Sequence, residues 1–221
     1  MTVALPSARR NDDRADSVLR LVSVALLASA LACIVVLHLV RRDLAPARHR
    51  ISEYAIGPYG ELMAASFVSL GAGLLALARP LARAAAEWSR VVLVVVAAAG
   101  AGMVISGIFR TDPERSGVTT DAVHSYASAF STMALIGTAL LCSLGVRAPA
   151  RQPSRTAVAL AVLGAILGAV SPFLHRSPWT GASQRLLWLT LLAWLILTAL
   201  RLPARSGMAS GRLRTCRRSE E

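Results

Sequence analysis

The stretch Leu21–Val40, which reads LVSVALLASALACIVVLHLV, decides the fold of this chain. It contains no Asp, Glu, Lys or Arg, and a helix of about 20 residues spans the roughly 30 Å hydrocarbon core of a bilayer. Five comparable apolar runs follow it. We therefore predict an all-α, polytopic membrane bundle with six transmembrane helices, at Leu21–Val40, Leu62–Ala78, Val91–Phe109, Ser125–Leu144, Ala157–Leu174 and Leu186–Leu200.

The composition agrees with a membrane protein and argues against a nucleic-acid-binding domain. Hydrophobic residues make up 55% of the chain and charged residues only 16%. All 24 basic residues are Arg, and they flank the apolar runs, whereas a DNA-binding domain clusters them on one polar element. We expect no nucleic-acid partner. Cys33, Cys142 and Cys216 lie in two spans and the tail, so they suggest no disulfide framework.

The Arg residues predict how the bundle lies in the membrane. Of the 24, 16 fall in the termini and the even-numbered loops, and 8 fall in the first, third and fifth loops. The positive-inside rule then predicts a multi-pass protein of the cell membrane with both termini cytoplasmic. The pair Arg41–Arg42 on the outer side weakens this prediction. We divide the chain into a disordered cytoplasmic tail, a six-helix transmembrane domain and a disordered basic cytoplasmic tail, at residues 1–17, 18–203 and 204–221.

Inside the spans, the small residues predict close packing between helices. Glycines at 71, 73, 100 and 102, together with the pair Gly164 and Gly168, let membrane helices approach one another. No Asp, Glu, Arg or His lies deep within a predicted span. Because ion-coupled pumps usually need an ionisable group near the bilayer centre, this pattern argues against a coupled pump.

Most residues capable of chemistry fall in the first, third and fifth loops, which six spans place on one face. Helical packing brings these loops together, so we predict one convergent, outward-facing site. Asp121 lies three residues before His124, which puts both on one helical face and suits a carboxylate that orients an imidazole. Asp121 is equally a natural N-cap of the fourth helix. Glu53 could simply form a surface ion pair with Arg48 or Arg50.

The predicted site has binding, catalytic and metal-binding candidates. The ligand-binding candidates are Glu53, Tyr54, Asp112, His124, His175 and Arg185. The catalytic candidates are His124, Asp112 and Asp121, and the metal-binding candidates are His124, His175 and Asp112. No HxxxH or HExxH spacing is present, so metal ligands would come from separate loops. The sequence identifies no cofactor.

Several segments carry a resemblance to a known family. Residues 51–57 (ISEYAIG), residues 107–113 (GIFRTDP), His124, and Gln184–Arg185 before a Trp-rich last span resemble the bacterial membrane family called domain of unknown function 998. The resemblance covers roughly residues 18–203. One departure is Arg110, where we expect the family to prefer Pro. The resemblance implies a multi-helix membrane fold and leaves the activity open.

Three classes of function fit these patterns. The first is a membrane protein whose outer cleft binds a lipid head group or other small ligand, because Arg, Tyr and carboxylates at headgroup depth suit phosphate or polyol recognition. The second is a membrane-embedded hydrolase or transferase acting on lipid, with or without a metal. The third is a facilitative permease or a structural membrane subunit. The lipid bilayer is the one partner that all three share.

Overall fold

The chain forms a bundle of long helices, and the computed structural model describes residues 6–111, 119–145 and 154–202. Within these ranges there is no β-strand, and six helices are long and apolar enough to cross a membrane. The prediction of an all-α, six-helix membrane bundle is therefore confirmed. The helices are α1 (Pro6–Val40), α2 (Gly60–Ala84), α3 (Ser89–Ile108), α4 (Thr119–Leu140), α5 (Arg155–Leu174) and α6 (Thr180–Arg201).

Helix α1 extends well before the apolar run that predicts it. Residues 6–17, which we expected to belong to a disordered tail, form its first turns. Asp12 and Asp16 in this extension make ion pairs with Arg79 and Arg83 of α2, at nitrogen–oxygen distances of 2.6–3.2 Å. The extension is helical because a neighbouring helix supplies partners for its charged side chains. The tail expected at the other terminus lies outside the described residues.

The helices pack as a ring in chain order, with α6 returning to α1. Helices α2 and α3 approach most closely where Gly71 faces Gly100. A Cβ on Gly71 would lie 2.5 Å from the carbonyl oxygen of Gly100, and one on Gly100 would lie 2.8 Å from that of Gly71. These distances leave no room for a side chain at either position. The predicted role of these glycines in helix packing is confirmed.

The last residues of α1, α3 and α5 and the first residues of α2, α4 and α6 lie at one end of the bundle, which we call the odd-loop end. The buried Arg41 organises the loop between α1 and α2, since its Nη1 donates to the carbonyl oxygens of Ile56 (2.6 Å) and Pro58 (3.1 Å). Its Nη2 also pairs with Asp43 at 2.8 Å. Gly57, with φ of 75°, makes the turn that brings these carbonyls to the guanidinium.

Helix α5 is the least embedded helix of the ring. Only Ala161 and Gly164 of its residues are buried, while Ile166 and Phe173 are among several large apolar side chains that are exposed. In a membrane these side chains face lipid. Helix α5 therefore forms a thin wall on one side of the bundle, and the space behind it is incompletely filled.

Candidate ligand-binding cavity

A cavity of about 810 Å³ lies among α1, α2, α4, α5 and α6. Helix α3 contributes no lining residue, because it packs between α2 and α4 on the far side of both. The cavity reaches the odd-loop end, where the 3₁₀ turn at Ile51–Ala55 and the residues around His175 border it. It therefore lies where the three chemistry-bearing loops meet the helices.

The lining changes from polar to apolar along the helices. At the odd-loop end the lining includes Arg50, Ser52, Thr111, Asp121, His175 and Gln184. Deeper in the bundle it includes Ile34, Met63, Phe67, Leu70, Ile136 and Leu192. Leu70 lies ten residues into α2, which at the helical rise is about 15 Å from the helix start. The cavity thus has a polar mouth and an interior that is largely apolar, apart from Ser66 on α2 and the hydroxyls of α4.

Helix α4 presents a polar stripe to the cavity. Asp121, Ser125, Ser128 and Thr132 are spaced four, three and four residues apart, so they share one helical face, and all four line the cavity. Thr132 Oγ1 donates to the carbonyl oxygen of Ser128 at 2.7 Å, and Ser128 Oγ to that of Ser125 at 3.2 Å. The hydroxyl oxygens of Ser128 and Thr132 donate their protons to the backbone and therefore keep their capacity to accept a hydrogen bond.

His124 is a buried polar side chain of the lining, with 3% of its surface exposed. Its Nδ1 lies 2.8 Å from the carbonyl oxygen of Ser106 and 2.9 Å from that of Phe109, both at the end of α3. Because carbonyl oxygens only accept, Nδ1 carries the proton. The ring also meets Phe67 edge-on, with centroids 5.2 Å apart. The imidazole is therefore held in one orientation.

Hydrogen bonds to neighbouring residues hold three polar side chains at the mouth of the cavity. Arg50 Nε donates to Glu53 Oε1 at 3.1 Å, while its two terminal amino groups have no partner among the described residues. Gln184 Oε1 accepts from the backbone N–H of Ile51 at 2.7 Å. Asp121 accepts at Oδ1 from the buried Thr111 hydroxyl at 2.8 Å. These contacts position a guanidinium and a carboxylate at the cavity mouth.

Arg185 lies in a separate polar group beside the cavity. Its Nε donates to His38 Nε2 at 2.8 Å, and its Nη1 donates to the carbonyl oxygens of His49 (2.6 Å) and Gly181 (3.0 Å). Its Nη2 donates to the hydroxyl of Tyr54 at 3.2 Å. Every nitrogen of this guanidinium thus has a partner within the protein, so Arg185 joins α1, the first loop and α6.

His38 and Tyr54 complete this group, which we call the arginine cluster (Arg185, His38 and Tyr54). His38 Nδ1 donates to the carbonyl oxygen of Ile34 at 2.7 Å, which leaves Nε2 as the acceptor for Arg185. The rings of His38 and Tyr54 lie 5.1 Å apart, and Tyr54 is fully buried. None of the three lines the cavity.

The structure therefore divides the predicted site residues into two groups. His124, His175 and Asp121 line the cavity, whereas Tyr54 and Arg185 belong to the arginine cluster. Glu53 reaches the cavity only through Arg50, which it holds. Asp112 lies outside the described residues. Among the residues described, no three His, Cys, Asp or Glu side chains are grouped so that they could hold a metal ion.

Sequence reasoning missed several lining residues. Arg50 stands beside Arg48 in the same loop, and only its three-residue spacing from Glu53 distinguishes the two in the sequence. Ser128 and Thr132 carry a signal that could have been read, because a stripe of small hydroxyls on one face of an apolar helix indicates a polar surface. Gln184 was noted only as part of a family resemblance.

Comparison with known proteins identifies the family and nothing more specific. A family model described as "Protein of unknown function (DUF998)" matches residues 9–201, which is most of the chain and includes the whole cavity lining. No curated protein and no solved structure matches the chain. The resemblance seen in the sequence is confirmed. The chain belongs to the DUF998 family of proteins of unknown function.

Proposed function

We propose that this protein binds an amphiphile, a lipid or lipid-like molecule, in the cavity behind α5. The observation that carries the proposal is the change of the lining from charged and polar at the odd-loop end to largely apolar about 15 Å deeper. A ligand that matches this gradient has a hydrated head and an apolar tail. A volume of about 810 Å³ is also within the range of cavities that hold small molecules.

The position of the opening supports a ligand that arrives from the bilayer. Met133 lines the cavity and is 63% exposed, and Ser125 and Ala129 on the same face of α4 are both lining and exposed. The cavity is thus open along α4 at a depth that lies within the membrane. A lipid of the surrounding leaflet can enter there without leaving the bilayer, which favours a lipid over a water-soluble ligand.

Arg50 supports an anionic head group. Its terminal amino groups have no partner in the described ranges, and paired guanidinium nitrogens bind phosphate or carboxylate oxygens well. Glu53, which holds Arg50 Nε, keeps the guanidinium at the mouth. A ligand phosphate at this position would complete the hydrogen bonding of the side chain.

The binding experiment compares matched variants of the purified protein in nanodiscs, with a fluorescent phospholipid as probe. Arg50→Ala should weaken binding by about ten- to a hundredfold, because hydrogen bonds to a charged group contribute about 1.5–3 kcal/mol. Its control is Arg48→Ala, an exposed Arg of the same loop. Ser128→Trp should block the cavity, and its control is Tyr126→Trp, which is 79% exposed and lines nothing. Unchanged binding by Ser128→Trp would refute the proposal.

We further propose that the odd-loop end faces the outside of the cell membrane. The uneven distribution of Arg supports this orientation. Arg41 lies on the proposed outer side and counts against this orientation. It is buried and forms an ion pair with Asp43, so it weakens the argument less than an exposed, unpaired Arg would. In a cysteine-free background, Arg176→Cys should react with an impermeant maleimide in intact cells, and Glu87→Cys only after permeabilisation. The reverse pattern would invert the topology.

One observation favours a second function, a membrane-embedded hydrolase or transferase. His124 is fixed through Nδ1, and Nε2 has no partner among the described residues, which is the arrangement of an imidazole that accepts a proton. Mass spectrometry of lipids incubated with the wild type and with His124→Asn tests this reading. Conversion by the wild type alone would support an enzyme, and identical lipid profiles over hours would refute it.

A further inference from the structure

His124 offers the cavity one specific hydrogen-bonding atom. Its Nδ1 proton is shared between the carbonyl oxygens of Ser106 and Phe109, so the neutral ring presents Nε2 as a lone-pair acceptor. Nε2 has no hydrogen-bond partner in the part of the chain that the structure describes, and the residue lines the cavity while only 3% of its surface is exposed. Nε2 itself is not one of the fully buried atoms that lack a partner, so a group inside the cavity can reach it. This acceptor is therefore available to a donor on a bound molecule.

The two polar groups of the lining differ in what they require. Arg50 offers donors, through terminal amino groups that no described residue engages. His124 offers an acceptor, on a ring against which Phe67 packs in a T-shaped contact. A head group that satisfies both carries an anionic oxygen for the guanidinium and an N–H or O–H for the imidazole. Hydroxyls of the α4 stripe, at Ser125 and Ser128, suit further hydroxyls of the same ligand.

We infer that the amphiphile is a phospholipid whose head group bears a free hydroxyl, with the phosphate held by Arg50 and the hydroxyl donating to His124 Nε2. The inference rests on the proposed function, since it names the head group of the amphiphile in that cavity. A phosphodiester whose head group has neither an N–H nor an O–H satisfies only Arg50, and among head groups with a donor a hydroxyl also suits the hydroxyls of the α4 stripe. A hydroxyl lipid without phosphate satisfies only His124. The combination is what the two residues select.

The experiment uses two anionic phosphodiester lipids that differ in the hydroxyls. Phosphatidylglycerol and phosphatidylmethanol compete with a fluorescent phospholipid for the full-length protein in nanodiscs. The wild type should prefer phosphatidylglycerol about five- to tenfold, the effect of one hydrogen bond to a buried group. His124→Leu should lose this preference, and His124→Asn, which keeps a donor and an acceptor, should keep part of it. The wild-type comparison does not depend on whether either variant folds.

The outcomes separate this inference from the proposed function. Equal binding of the two lipids by the wild type would overturn the hydroxyl inference and leave amphiphile binding intact. The inference would also be overturned if neither lipid competed at concentrations at which the unlabelled form of the probe displaces the fluorescent form. No specific binding of the probe at all would overturn the proposed function. Glycerol 3-phosphate is the soluble control. If it competed as well as the lipid, the apolar interior would add nothing and the amphiphile proposal would fail.

Discussion

The arginine cluster and the cavity mouth are both polar regions at the odd-loop end, but they differ in whether their polar atoms have hydrogen-bond partners within the protein. In the arginine cluster each nitrogen of Arg185 and both nitrogens of His38 have partners within the protein. In the cavity lining, His124 Nε2 and the terminal amino groups of Arg50 have none among the described residues. The first region satisfies its own polar atoms, whereas the second leaves an acceptor and two donor groups open among the described residues.

Under the proposed function, this difference separates structural from ligand-binding residues better than residue type does. Both regions contain an Arg and a His, and both His rings are fixed through Nδ1 to a backbone carbonyl. What distinguishes them is the partner of the other ring nitrogen, which is Arg185 for His38 and nothing in the described chain for His124. A satisfied network rigidifies a fold, whereas an open one can recognise a molecule.

The largest expected effect tests whether the arginine cluster is structural. Replacing Arg185 by Met removes its hydrogen bonds to His38, Tyr54 and two backbone carbonyls. We expect a loss of about 3 kcal/mol in the free energy of unfolding, because buried acceptors lose a charged donor. Denaturant titration in detergent measures it, with the exposed Arg48→Met as control. A loss below about 1 kcal/mol would show that the cluster is not what holds this end together.

A second prediction contrasts an open and a packed position of α4. Ser131 is fully buried, and its Oγ lies 2.2 Å from where a Cβ on Gly102 would be, so Ser131→Leu should overpack the α3–α4 contact and cost about 2 kcal/mol. Ser128 lines the cavity, so Ser128→Leu should change stability by less than about 1 kcal/mol. The same unfolding titration compares them. Equal losses would mean that the cavity is filled by protein in solution.

The smallest expected effect concerns the loop beside the arginine cluster. Hydrogen bonds from the Arg41 guanidinium hold the pKa of Asp43 below its usual value of 3.8. The folded state therefore prefers the ionised carboxylate, so this stabilisation is complete above about pH 4 and is lost as the pH falls through the lowered pKa. The stability difference between wild type and Asp43→Asn should shrink below about pH 4. A difference that stays constant down to pH 3 would contradict this coupling.

The sequence determined the fold class because membrane insertion depends on local composition. Each apolar run must be helical to satisfy its backbone in lipid, whatever its neighbours are. The close-packing glycines were also readable, since small residues at Gly71 and Gly100 have few other uses in a span. Helix α1 is the exception. Its first turns are stabilised by ion pairs with Arg79 and Arg83, which lie far along the chain.

The sequence predicts which polar residues lie at the odd-loop end, but it does not show which of them line the cavity and which belong to the arginine cluster. Arg185 and His124 both sit at the mouth of a span, and both were expected in one cleft. In the structure only His124 of the two lines the cavity, because each side chain is held by partners from another segment. His38 lies 147 positions from Arg185, and Ser106 lies 18 positions from His124. Apolar periodicity is a local property that the chain carries by itself. Whether a polar atom is satisfied depends on neighbours that only the folded bundle brings together.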